Sequence, residues 1–340
     1  MRSFALWYTS KENFTEIQTD DEGVVDLHIN LWKKTTKKRE NYCFDFGLRV
    51  KNISTIKNIK LYCPFPFEKS SIRDLGSVIS NNKLTNAIFN ESYKTTEGDP
   101  KRLNVKSSEN EFIIYTLDTG SQVELTPCKR SNDKPGTIID LKIDDISVGE
   151  ITDYYFRIRV EIPSSEVHLI NDEIDGISIF SNQFTNTEVI DFRINDIRSC
   201  SDSLREQFEK GRPLNFRSIH YLILRNASDL AIFHGNNPSS RMLESDLWKN
   251  YIDNENQNLI AYHFKKKCIK NNVSGEIEYL SDFSTLARFQ YKKKTAKIIS
   301  VYLIILLILG AAGGVTGNFA TKYIEKLTSP ETCSQSVEEN

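Results

Sequence analysis

Tyr155, Arg157 and Arg159 stand at alternate positions in the segment DYYFRIRVEIP, so an extended backbone puts a phenol and two guanidinium groups on one side. Guanidinium forks bind phosphate and carboxylate bidentately, and an aromatic plane beside them adds a stacking surface. The chemistry on offer is the grip of an anion or an acidic partner from the wet face of a strand.

Gly310, Gly313, Gly314 and Gly317 offer a different chemistry. Spaced i, i+3, i+4 and i+7, they fall on one helix face and form two overlapping G-x-x-x-G motifs. In lipid such a face lets two backbones approach closely, because helix association there depends on van der Waals contact and not on expelling water. The stripe therefore predicts a homo-oligomer. No charged residue lies inside the apolar stretch, so a pore built from it would be unselective or gated by dewetting.

Lys292, Lys293, Lys294 and Lys297 precede that stretch and make a membrane-surface cluster suited to anionic lipid. Carboxylates are less telling. Asp172, Glu173 and Asp175 in NDEIDG offer ligands to a divalent cation, but a solvated turn explains them as well, as it does Asp144 and Asp145. The five histidines, His28, His168, His220, His234 and His263, are isolated in sequence, and no phosphate-binding loop, zinc-protease helix, nucleophile elbow or EF-hand loop occurs. No metal, cofactor or catalytic residue is predicted.

The element that decides location is Ile298 to Phe319, IISVYLIILLILGAAGGVTGNF, without one charge. As a helix it would be about 33 Å long, against a hydrocarbon core of about 30 Å. Arg288 and the four lysines precede it, whereas Lys322 and Lys326 follow it among Glu325, Glu331, Glu338 and Glu339. Basic flanks stay inside, so the sequence predicts a single-pass protein of the cell membrane with a cytoplasmic N-terminal part. The opening MRSFALWYTS carries an apolar stretch too short for a secretory signal. Six cysteines without metal-like spacing fit a reducing compartment, where the five sequons, at Asn13, Asn52, Asn90, Asn226 and Asn272, carry no glycan.

The 340 residues bear 44 basic and 46 acidic side chains, which leaves no bulk charge for nucleic acid. Upstream of the span, alternation dominates: Val25, Leu27, Ile29, Leu31; Tyr42, Phe44, Phe46, Leu48, Val50; Tyr154, Phe156, Ile158, Val160, Ile162. Further strands are expected at 3–9, 56–63, 111–117, 121–126, 137–143, 176–181 and 188–194. Some ten short strands between polar turns predict a mainly β protein, an antiparallel β-sandwich or partly open barrel.

Residues 66–110 read as a long connection with a short helix or strand near Asn86. After residue 198 the period changes. Ser203 and Glu206 form a capping box for a helix over 204–210 ended by Gly211, strands flank the Asn-Ala-Ser-Asp turn, and a second helix covers 241–252. A strand, NLIAYHF, follows it. Ile277, Leu280, Phe283 and Leu286 space like an amphipathic helix entering the membrane.

The organisation read from these signals is a sandwich-like domain over 1–198 and an α+β segment packed on it over 199–270. A linker with a juxtamembrane basic helix follows over 271–297, then the span over 298–319 and a short external tail over 320–340. The functional expectation is a sensor or adaptor whose cytoplasmic domain binds a ligand or protein partner. The alternatives are a defence effector that oligomerises and permeabilises the membrane, and a membrane-tethered hydrolase, for which no residue speaks.

Overall fold

The computed structural model describes residues 3–11, 22–35, 39–79, 82–99, 101–128, 135–168, 170–175, 185–233, 237–252, 258–271, 275–292 and 295–328. The expected strand at 176–181, Lys293, Lys294, His234, Cys333 and the sequons at Asn13 and Asn272 lie outside them. So do the side chains of Asp172, Glu173, Asp175 and Lys297. The chain divides into two compact units, Met1–Asp175 with Thr187–Tyr291, and Gly176–Asn186 with Lys292–Asn340.

Strands β1 (Ala5–Ser10), β2 (Val24–Thr35), β3 (Glu40–Val50) and β4 (Ile56–Cys63) are followed by the short β5 (Ile72–Asp74) and helix α1 (Asn82–Phe89). Next come β6 (Lys94–Glu97), β7 (Arg102–Lys106), β8 (Glu111–Tyr115), β9 (Val123–Cys128), β10 (Gly136–Lys142) and β11 (Tyr154–Pro163). The chain continues through β12 (Asn171–Asp175), β13 (Thr185–Ile194), helix α2 (Asp202–Lys210), β14 (Arg212–Pro213), β15 (Asn215–Asn226), β16 (Leu230–Phe233) and β17 (Ser239–Met242). Helix α3 (Ser245–Ile252), β18 (Leu259–Lys267), β19 (Ile269–Lys270), β20 (Ile277–Glu278) and β21 (Phe283–Lys292) lead to the long helix α4 (Thr295–Thr328).

The β-rich unit is a sandwich. Its large sheet has the order β17-β18-β15-β2-β3-β11-β8-β7-β6, with β5 also paired to β11. The sheet is mixed: β15 runs parallel to β2, and β8 parallel to β11. One face of it shares a core with a five-stranded sheet, β14-β1-β4-β10-β9, and a four-stranded one, β12-β13-β21-β16. Val25, Leu27, Ile29 and Leu31 of β2 and Phe44, Phe46 and Leu48 of β3 fill that core, as their period-two spacing requires.

The other face is not wet. Along β2 and β3 nearly every residue is buried, because α1, α3 and the segment over residues 75–114 close over the intervening side chains. Trp32, Cys43 and Tyr155 meet Trp248, Tyr251 and Ile252 of α3 there. Alternation marks two chemically different faces; it does not say whether the more polar one meets water or another layer. The stretch read as a long connection belongs to this cover and adds β6 and β7 to the sheet edge.

Three elements differ from the sequence expectation. Helix α2 starts at Asp202 with Ser201 at its N-cap, so Ser203 lies inside the first turn, and Gly211 is extended at φ −100° rather than left-handed. The buried Leu204 and the contact of Phe208 with Trp7, ring centroids 5.8 Å apart, set the helix phase. Residues 239–242 form β17 on the edge of β18, and the helix begins only at Ser245. Finally, Phe283–Lys292 is strand β21, where an amphipathic helix was expected. Phe283, Ala287 and Phe289 alternate into the core, Leu286 points out, and the pairing with β16 decides between two competing periods. The strands flanking the Asn226–Asp229 turn exist as read, but they enter different sheets: β15 joins β2 and β18, while β16 joins β21.

In the second unit, α4 holds 34 residues, about 51 Å at the α-helical rise. Ile299–Thr328 is long and apolar enough to cross a membrane, and none of it is buried within the protein. Its hydroxyls are turned inward on the helix: Thr316 donates to the carbonyls of Ala312 and Gly313, and Thr321 to that of Gly317. These threonine hydroxyls are thus satisfied within the helix, without water.

Candidate functional site

The predicted anion-gripping residues are brought together, but inside the protein. Tyr155, Arg157 and Arg159 are almost fully inaccessible, Arg157 at 1% exposure and Arg159 at 4%. The wet face expected for them is instead a polar layer between the large sheet and α3. Arg159 grips the Asp45 carboxylate through Nε at 2.8 Å and Nη2 at 3.2 Å and donates to the Tyr251 carbonyl at 2.7 Å. Its guanidinium lies 4.4 Å from the Trp32 ring centroid. Arg157 donates to the hydroxyls of Tyr155 and Tyr251. The Asn30 amide oxygen accepts from Arg157 Nη2 at 2.7 Å. Tyr251 in turn donates to the second oxygen of Asp45. Two guanidinium groups therefore share one carboxylate through a tyrosine, and an anion from solvent meets neither in this packing.

Strand register explains half of this assembly. Arg159 is directly opposite Asp45 in the β3–β11 ladder, and Arg157 opposite Gly47. Gly47 is there for space: a Cβ would fall 2.1 Å from the Tyr155 hydroxyl oxygen and 3.1 Å from Arg157 Nη1. Gly47→Ala is expected to lower unfolding stability by about 1–3 kcal/mol. Urea titration of the single variant and of Gly47→Ala with Tyr155→Phe checks this; removing the hydroxyl should restore part of the loss. Tyr251 had no signal in sequence beyond its place on the apolar face of a short helix.

Histidines that are far apart in sequence also converge. His28 and His220 are partners in the parallel β2–β15 ladder, with ring centroids 5.0 Å apart, and His263 of β18 stacks on His220 with a 3.1 Å nitrogen–nitrogen hydrogen bond. His28 reaches the Tyr155 hydroxyl at 3.4 Å. The row thus links the polar layer to His263, which lines a groove of about 1510 Å³. That groove runs between Lys265 and Lys266 of β18, Arg193 of β13 and Phe283 of β21, and its walls mix polar and apolar groups.

Burial sets the protonation of these groups. It lowers the basicity of His28 well below the ordinary value, helped by His220 and Arg157; it lowers His220 to about 4, helped by His263 and Lys265. His263 is lowered by burial and by Lys265. Burial likewise pushes Cys43 up to about 12, Cys200 up to about 11, and Cys63 and Cys128 upward, and Cys43, Cys63 and Cys128 pack within the apolar core. Among the described residues no group of three or more His, Cys, Asp and Glu side chains is arranged to hold a metal ion.

Gly310, Gly313, Gly314 and Gly317 lie within helix α4. At Gly310, Gly313, Gly314 and Gly317 an added Cβ would meet nothing within 4 Å. Lys292 is exposed at the end of β21. Comparison with models of known protein families finds no match, and comparison with curated proteins finds none either.

Proposed function

We propose that this chain is a single-pass membrane protein whose β-rich unit, held on the cytoplasmic side, is a binding module for a protein partner or small ligand, and whose α4 self-associates through its glycine face. The observation that carries the reading is α4 itself. A helix with no buried residue from Ile299 to Thr328, and with its threonine hydroxyls bonded to its own carbonyls, is built for lipid and not for water. The excess of Arg and Lys before the helix supports the cytoplasmic side for the larger unit. The groove bordered by His263 supports a binding role, since it is a roomy concavity of the β-rich unit that mixes apolar walls with a few charges. The near-balanced charge speaks for protein or small-molecule partners over nucleic acid.

Two measurements test the reading. The full chain should stay with membranes after alkaline carbonate extraction, and in sealed vesicles the β-rich unit should be digested only from the cytoplasmic face. Gly313→Leu with Gly314→Leu is expected to weaken self-association in bilayers about tenfold, on the order of 1–2 kcal/mol, read as energy transfer between labelled copies. Unchanged transfer would remove the glycine face from the model, and release by carbonate would remove the membrane span.

A further inference from the structure

The outer edge of β18 is covered along only part of its length. In an antiparallel ladder the N–H and C=O of one residue point the same way, and those of the next point the opposite way. Cys268 donates to Arg217 and Asn258 accepts from Ala227, on the β15 side, whereas Leu259 accepts from Leu243 on the other side. The odd residues of β18 therefore turn their backbone groups away from β15. On that outer edge β17 runs from Met242, opposite Ile260, to Ser239, opposite His263, and stops there. Pro238 precedes it, and a residue without an N–H ends a ladder readily. Lys265 and Lys267 come next, and among the described residues no backbone group pairs with their outward N–H and C=O groups.

The side chains on this open stretch are cationic. Lys265, Lys266 and Lys267 are exposed, and among the described residues no carboxylate pairs with them. Partial burial, and then the Lys267 ammonium beside it, lower the basicity of Lys265. The groove of about 1510 Å³ runs along the same edge, with Phe264, Lys265 and Lys266 on one wall and Phe283 and Leu286 at the start of β21 on another. Its arginines are occupied, Arg193 by Asp191 and Asp196 and Arg198 by Asp196, and Asp282 accepts from Ser281. An edge that bears lysines repels a second copy of itself and disfavours apolar strands, but it admits a strand of opposite charge.

We propose that the open edge of β18 from Lys265 to Lys267 takes an extended acidic segment of a protein partner, added to the sheet as a strand whose carboxylates meet the three lysines. The proposal rests on the reading of the β-rich unit as a binding module, and it names the class of partner for the groove. Backbone bonds to Lys265 and Lys267 supply the attachment. Selectivity comes from alternation, because acids at every second position of the incoming strand fall on the face that Lys265 and Lys267 share.

The test uses the full chain in detergent and labelled peptides of about eight residues that alternate glutamate with valine, glutamate with proline, or lysine with valine. The glutamate–valine peptide is expected to bind, read as fluorescence anisotropy, and to slow hydrogen exchange over residues 264–268 at least about threefold. Lys265→Glu with Lys267→Glu should weaken it at least about tenfold, and the milder Lys265→Gln with Lys267→Gln about threefold, with near-ultraviolet dichroism unchanged. The glutamate–proline peptide carries the charge but lacks alternate N–H groups, and should bind at least about tenfold more weakly. Equal binding of either control peptide, binding that survives both lysine variants, or binding without slower exchange over 264–268 would overturn strand addition and leave the binding-module reading in place. If no peptide binds and exchange changes nowhere along the groove, strand addition and the binding role of the groove fall together.

Discussion

Asp45→Asn is expected to destabilise the β-rich unit by about 3–5 kcal/mol, the usual cost of leaving buried cations without their counter-charge. Asp45 is fully buried, accepts two bonds from Arg159 and a third from the Tyr251 hydroxyl, which is itself bonded to Arg157. Among the described residues it is the carboxylate that both guanidinium groups share. Tyr251→Phe breaks the bridge but leaves the ion pair, so its effect should be smaller, about 1–3 kcal/mol. Asp45→Leu with Arg159→Met removes both charges and should lose less than the sum of the single changes, because an apolar pair of similar volume carries no desolvation cost. Urea unfolding of the full chain in detergent, followed by near-ultraviolet dichroism, checks all three. Trp32 against the Arg159 guanidinium supplies a local signal. A loss below about 1 kcal/mol for Asp45→Asn would show that water or a rearranged side chain replaces the carboxylate.

The second large effect is acid sensitivity. His28 and His220 are held neutral in the fold, His220 with a value lowered from 6.5 to about 4. In the unfolded chain both take up protons as the pH falls through about 6.5, whereas the folded protein resists. Their contribution to stability is thus complete above pH 6.5 and is lost as the pH falls below it, for His220 at about 1.4 kcal/mol per pH unit down to about 4. For His220 the full window amounts to about 3 kcal/mol. Asp74 works in the opposite direction. Burial raises it from 3.8 to about 6 against the amide bonds it accepts from Leu117 and Ser77, so its ionisation destabilises the fold as the pH rises between those values. The expected profile is a net loss on acidification whose slope is reduced in His28→Gln with His220→Gln and increased in Asp74→Asn. Stability measured at pH 7, 6 and 5 decides it; a flat profile in the parent chain would mean that the histidine row is hydrated.

Much of the fold was legible because period two and turn chemistry are local. The strands β1, β2, β3, β4, β8, β9, β10, β11 and β13 lie where alternation and flanking polar residues put them, β4 at the predicted bounds. What failed was the meaning of the second face. Asp26, His28 and Asn30 look like solvent-facing residues of β2, and they become interior because distant segments cover them: Asp26 accepts from Arg217 and Ser218, His28 packs between Phe89 of α1 and His220, and Asn30 accepts from Arg157. Arg157 and Arg159 were singled out correctly by type and spacing, but their partners are Asp45 from another strand and Tyr251 from a distant helix. The histidine row escaped notice for the same reason: its members come from β2, β15 and β18, and only their register joins them.

The amino-acid sequence by itself determined the mainly β class, most strand positions, and an uncharged helix with glycines on one face, because each depends on side-chain order within a few residues. Tertiary structure decided which sheet each strand joins, that residues 283–292 form a strand rather than a helix, and that a polar strand face lies beneath a helical layer. Burial and pairing are properties of two chain segments meeting, and no periodicity within one of them encodes the other.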